Sequence, residues 1–217
     1  MAAILADGSV ISWGDLESAE TDVPVGLRNV QQIQATDGAF AAILADRSIV
    51  TWGDPDAGGD SSEVQDQLRK VQQVQSTSGA FAAILADGSV VTWGNPDVGG
   101  DSSEVQDQLR NVQQIRATHD AFAAILADGS VVTWGDPNCG GDSSEVQDKL
   151  TNVQHIQGTS GAFAAILANG SVVTWGEPEI GGDSSDVQDQ LRNVQQIQTT
   201  GSAFAAILAD RSVVTWG

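Results

Sequence analysis

The chain has 217 residues, 41% of them apolar, and carries 29 acidic side chains against nine basic ones, a formal charge of −20. A surface this acidic repels phosphate backbones and anionic lipid, so neither nucleic acid nor a membrane is an expected partner, while a basic partner stays allowed. The single cysteine, Cys139, excludes an intrachain disulfide, and no apolar run reaches the roughly 20 residues that a spanning helix needs.

Residues 1–14 (MAAILADGSVISWG) open the chain with a motif that returns at 40–53, 81–94, 122–135, 163–176 and 204–217. The first copy has no basic segment ahead of its apolar run, so it does not read as a signal peptide. With no spanning segment either, the cytoplasm is the default expectation. From Phe40 onward the copies are spaced by 41 residues, giving units 1–39, 40–80, 81–121, 122–162, 163–203 and a partial 204–217, read as one domain. Self-similarity sustained at this period signals a repeat architecture, in which each unit buries its apolar surface against its neighbours.

Within one unit, residues 40–45 form an apolar run and 48–52 a run rich in β-branched side chains, separated by Asp46-Arg47. The equivalent pair is Asp-Gly at 7–8, 87–88 and 128–129, and Asn-Gly at 169–170. Such pairs between two strand-like runs predict a hairpin with a two-residue turn. Arg47 and Arg211 break the pattern, so their turns are expected to be strained or of another type. A two-residue turn pairs Ala45 with Ser48, Ile43 with Val50 and Ala41 with Trp52, setting alanine opposite tryptophan. Phe40, Ala42, Leu44, Ile49 and Thr51 take the other face. Both faces are apolar, so the hairpin must lie between neighbouring sheets.

The segment 54–63 (DPDAGGDSSE) is turn-forming, 64–68 reads as a short strand or one helical turn, and 71–77 (VQQVQST) is a third strand ending in the small corner Ser78-Gly79-Ala80. Three strands in about 41 residues, stacked face to face, describe an all-β chain built as a β-propeller. A helical repeat would need a 3.6-residue period that is absent. The six hairpins but five inner strands favour six blades. Five or seven blades, or an open ring completed by another molecule, are the alternatives.

No residue stands chemically alone. The six tryptophans, Trp13 to Trp216, recur at one position and read as core between blades, and Cys139 replaces Ala57, Val98 and Ile180 in an apolar slot. The acidic loops (Asp54, Asp56, Asp60, Glu63 and their copies) lack the regular ligand spacing of a calcium loop. His119 and His155 have no second ligand at zinc spacing. No serine sits in a nucleophile elbow. The expectation is no metal, no cofactor and no catalysis. Copies differ most at the corner after the third strand, which makes Asp37, Ser78, His119, Asp120, Ser160 and Gly201 the candidate partner-binding residues. Drift after duplication explains the same variation.

The element Asp87-Gly88-Ser-Val-Val-Thr-Trp93-Gly94, followed by a Gly-Gly loop and then Leu109, Val112 and Ile115, resembles the RCC1 repeat. The 41-residue spacing is more similar to the compact RCC1-type propeller of a β-lactamase inhibitor protein, and the first connector, from Trp13 to Pro24, matches that shorter form. Where the family pattern has histidine before the Ala-Leu strand, this chain has Phe40, Phe81, Phe122, Phe163 and Phe204. The preceding positions, aromatic in the inhibitor, are Ala39, Ala80, Ala121, Ala162 and Ala203. The resemblance implies a non-catalytic scaffold that binds another protein through one loop face. Self-assembly through the terminal hairpins is the alternative, and a lectin-like glycan binder a further one.

Overall fold

The structure, a computed structural model, describes residues 1–13 and 23–217. The short first connector falls largely on 14–22, outside the described residues. The chain divides into two compact units, Met1–Ser102 and Ser103–Gly217. Among the described residues, no helix is long and apolar enough to cross a membrane.

The first unit holds a two-stranded sheet, β1 (Ala2–Ile4) with β2 (Val10–Ser12). Two three-stranded antiparallel sheets follow in it: β3 (Val30–Ala35), β4 (Ala39–Leu44), β5 (Ile49–Gly53), then β6 (Val71–Ser76), β7 (Ala80–Leu85), β8 (Val90–Gly94). The second unit holds three more: β9 (Val112–Ala117), β10 (Ala121–Leu126), β11 (Val131–Gly135); β12 (Val153–Gly158), β13 (Ala162–Leu167), β14 (Val172–Gly176); and β15 (Val194–Thr199), β16 (Phe204–Leu208), β17 (Val213–Trp216). The third strand expected at 71–77 is the first strand of its sheet. Between sheets, the expected helical turn takes the form of a 3-10 turn at Gln147–Lys149 and Gln188–Gln190.

The hairpin register differs from the expected one by a residue. Phe40 lies opposite Trp52, Ala41 opposite Thr51, Ala42 opposite Val50 and Ile43 opposite Ile49. The loop is three residues long: Arg47 N–H donates to Leu44 O at 2.8 Å and Leu44 N–H to Ser48 O at 2.9 Å. Only the third loop residue has positive φ, +66° at Arg47 and +80° at Gly88, as in a type I turn closed by a left-handed residue. The aspartate chooses this form. Asp46 Oδ1 accepts from the Ser48 hydroxyl at 2.6 Å and its N–H at 3.0 Å, and these bonds, the hydroxyl first, hold its carboxyl below the usual range. Arg47 and Arg211 (φ +73°) therefore keep the glycine geometry at a cost. Replacing Arg47 with glycine is expected to raise the unfolding free energy by about 1 kcal/mol, read as a higher urea midpoint. An unchanged midpoint would show that the turn has already relaxed.

The corrected register puts both aromatic rings on one face. Phe81 and Trp93 stack with centroids 5.2 Å apart, and the pair recurs in all five three-stranded sheets at 5.1–5.2 Å. Within each unit, that face packs on the opposite face of the sheet before it. In the first unit, Phe81, Ala83, Val91 and Trp93 meet Ala39, Ala41, Ile43 and Ile49. In the second, Phe163, Ala165, Val173 and Trp175 meet Ala121, Ala123, Ile125 and Val131, and Phe204, Ala206, Val214 and Trp216 meet Ala162, Ala164, Ile166 and Val172. Alanine does face tryptophan, but across sheets rather than across strands, because small side chains on one sheet make room for the rings of the next.

Five tryptophans are 5–8% exposed, whereas Trp13 is 44% exposed, against the expectation of core for all six. Its sheet has two strands only, and Met1, itself 76% exposed, occupies the position of phenylalanine, so no stacked ring covers the indole.

Candidate partner-binding corners

Each corner joins a sheet's first strand to its middle strand and is held by its threonine. Thr77 Oγ1 accepts from Ala80 N–H at 3.1 Å and donates to Val98 O at 2.9 Å. Thr36, Thr118 and Thr159 donate in the same way to Ala57, Cys139 and Ile180 O at 2.9–3.0 Å. These carbonyls belong to short 3-10 turns, Pro55–Ala57, Pro96–Val98, Pro137–Cys139 and Pro178–Ile180. Asp54 Oδ1 caps the first of them by accepting from Asp56 N–H at 2.9 Å, and Asp60 Oδ1 accepts from Ser62 N–H at 2.8 Å. Two of the four acids weighed as calcium ligands are thus turn caps.

The corners are also linked from sheet to sheet. In the first unit, Asp37 N–H donates to Ser78 O at 2.8 Å. In the second, His119 N–H donates to Ser160 O at 2.8 Å, and Ser160 N–H to Gly201 O at 3.0 Å; the Ser160 hydroxyl also donates to Gly201 O. Asp37 is thereby tied to Ser78 in the first unit, and His119 through Ser160 to Gly201 in the second. Of the six candidate residues, Asp37, His119, Ser160 and Gly201 are exposed and the other two half-buried. A backbone tied at every corner presents whatever side chain the copy supplies, which is how a rigid scaffold displays variable contacts.

The corner at His119 and Asp120 carries two further contacts. His119 Nδ1 lies 2.9 Å from Asp120 Oδ1. On its other side Asp120 Oδ2 accepts from the Cys139 thiol at 3.9 Å, and Asp136 Oδ2 lies 4.0 Å from the same sulfur. Among the described residues, Asp120, Asp136 and Cys139 are the set that brings three potential ligand atoms within 4.8 Å of one another. Burial, followed by the charges of Asp136, Asp120 and Glu177, pushes the Cys139 thiol up to about 11. In the absence of a bound cation it keeps its proton near neutrality. Cys139 alkylation is expected to stay slow at pH 8 and to accelerate toward pH 11, with Asp120→Gly moving the profile down. A midpoint near the ordinary cysteine value would mean that neither burial nor the acids act on the sulfur.

Sequence reasoning named Asp120 and Cys139 separately and missed their meeting. The available signal was that two departures from the repeat, aspartate where the other copies have glycine or serine and cysteine where they have Ala, Val or Ile, lie only 19 residues apart in the chain.

No protein-family model matches the sequence, and a search of curated proteins returns no match. Solved structures do match. Human WBSCR16 has a TM-score of 0.56 and 16% identity over 90% of this chain and 64% of its own. Yeast RCC1 (Prp20), solved bound to Kap60, has a TM-score of 0.57 and 17% identity over 86% and 55%. Prp20p from Saccharomyces cerevisiae, solved in a study of its binding properties to Gsp1p and histones, has a TM-score of 0.59 and 18% identity over 86% and 56%. The chain thus spans a little over half to just under two thirds of the length of these proteins. At such identities the likeness concerns architecture: the chain has the RCC1-like repeat β-propeller fold.

Proposed function

We propose that this protein is a non-catalytic scaffold that binds another protein through its corner loops. The observation carrying this reading is a backbone held by a threonine at every corner, and alike at the four from Thr36 to Thr159, beside side chains that differ from copy to copy: Asp37, Ser78, His119-Asp120, Ser160 and Gly201. Yeast RCC1 is bound by Kap60, which supports a protein partner for this fold. The six sheets support six blades, the first of them two-stranded. The test replaces His119 and Asp120 with Ser and Gly, the pair at Ser160-Gly161. Affinity capture with both proteins should lose at least one retained partner from the variant while its denaturation midpoint is unchanged. An identical set of partners overturns the corner assignment.

A second reading, association between copies, is favoured by Ile11 at 47%, Trp13 at 44% and Val213 at 59% exposure. Contact between copies would cover these apolar side chains. Light scattering across a concentration series tests it, and a monomer at every concentration removes it.

A further inference from the structure

Asn169 stands at a hairpin tip where the other copies have Asp7, Asp46, Asp87, Asp128 and Asp210. Glycine follows it, whereas Asn29, Asn111, Asn152 and Asn193 precede valine, Asn95 precedes proline and Asn138 precedes cysteine. Asn169 is exposed, on the turn between β13 and β14. Its Oδ1 accepts from the Ser171 hydroxyl at 2.7 Å and the Ser171 N–H at 2.9 Å. Both donors point at the oxygen that gathers negative charge when a nucleophile attacks Cγ, so they favour the tetrahedral intermediate. The neighbouring nucleophile is the backbone nitrogen of Gly170, which has no side chain to obstruct ring closure.

We propose that Asn169 is a self-modification site, at which the turn converts its own asparagine to an acid through a cyclic imide. The Gly170 nitrogen forms a bond to Asn169 Cγ and gives up its proton. The Cγ–Nδ2 bond breaks and ammonia leaves, closing a five-membered ring. Water then adds to the ring. Attack at Cγ breaks the new Cγ–N bond and yields aspartate; attack at the backbone carbonyl carbon breaks the original peptide bond and yields isoaspartate. Solvent water is the co-reactant, and no oxidant or reductant is needed. One interaction opposes the step: Gly170 N–H donates to Leu167 O at 2.8 Å, and this bond must open first. It lies at a loop tip, where local opening is least costly.

The two products differ in consequence. Aspartate recreates the Asp-Gly-Ser turn present at 7–9, 87–89 and 128–130, and adds a negative charge to the cleft that Asn169 lines together with His155. Isoaspartate inserts a methylene into the backbone ahead of Gly170, whose carbonyl accepts from Val194 N–H at 2.9 Å, and so loosens the link to the next sheet.

The experiment incubates the folded protein at mildly alkaline pH and follows all seven asparagines by peptide mapping and mass spectrometry. Asn169 should lose its amide before any other, faster as pH rises, and at least severalfold more slowly in Ser171→Ala. Loss in the denatured chain with retention in the folded protein overturns the proposal, because the Leu167 bond then prevails. An unchanged rate in Ser171→Ala overturns the activating role of the Ser171 hydroxyl. The Asn169→Asp variant supplies the mass and retention standard, and its denaturation midpoint should be no lower than that of the parent.

Discussion

Trp175→Ala is expected to lower the unfolding free energy by about 3–5 kcal/mol, the range for truncating a large aromatic in a packed core. The indole is 5% exposed, stacks on Phe163 at 5.2 Å, and lies against Ala121, Ala123, Ile125 and Val131 of the preceding sheet. Neither sheet can collapse into the space, because the Phe163 ring and the alanine backbones already define their separation. The substitution also deprives the Gly140 carbonyl of the Nε1–H that reaches it at 3.0 Å, and an acceptor left without its donor adds to the cost. Trp175→Phe retains most of the ring and should cost less. Urea denaturation measures both, and a loss below about 1 kcal/mol for the alanine variant would place the indole outside the core.

Gly140→Ala is the second large effect. Gly140 has φ +90°, and a Cβ there would lie 2.7 Å from Phe163 Cδ2 and 3.5 Å from Trp175 Nε1. The left-handed backbone costs an alanine about 1–2 kcal/mol, and forcing a methyl group into a filled core costs about 1–3 kcal/mol more. The expected loss is therefore about 2–5 kcal/mol. Gly201→Ala is the control, since a Cβ at Gly201 meets nothing within 4 Å, and its midpoint should change by no more than about 0.5 kcal/mol. Equal effects at both positions would show that Gly140 is not packed against the rings.

Much of the fold was legible from the residues. The apolar and β-branched runs in 40–52 mark a ribbon apolar on both faces, and the narrower 71–77 marks a third strand. Register was not legible. Asp-Gly suits a two-residue turn as well as a three-residue one, and the choice depends on whether the aspartate takes up the serine two residues on. A shift of one residue moves every side chain to the other face, and this shift brought Phe81 onto the face of Trp93. The candidate corner residues were found by comparing copies. The links between them were not, because hydrogen bonds such as His119 to Ser160 join residues one whole repeat apart.

The sequence by itself determined the repeat period, the three strands of each unit, and the requirement that every ribbon be covered on both sides. Those properties follow from local apolar runs and turn chemistry, which act within a few residues. Tertiary structure decided which ring meets which alanine, that Trp13 stays 44% exposed while its copies do not, and that Cys139 lies between Asp120 and Asp136. These depend on what the adjacent sheet and loop present, and a contact through space between segments far apart in the chain leaves no periodic trace in either one.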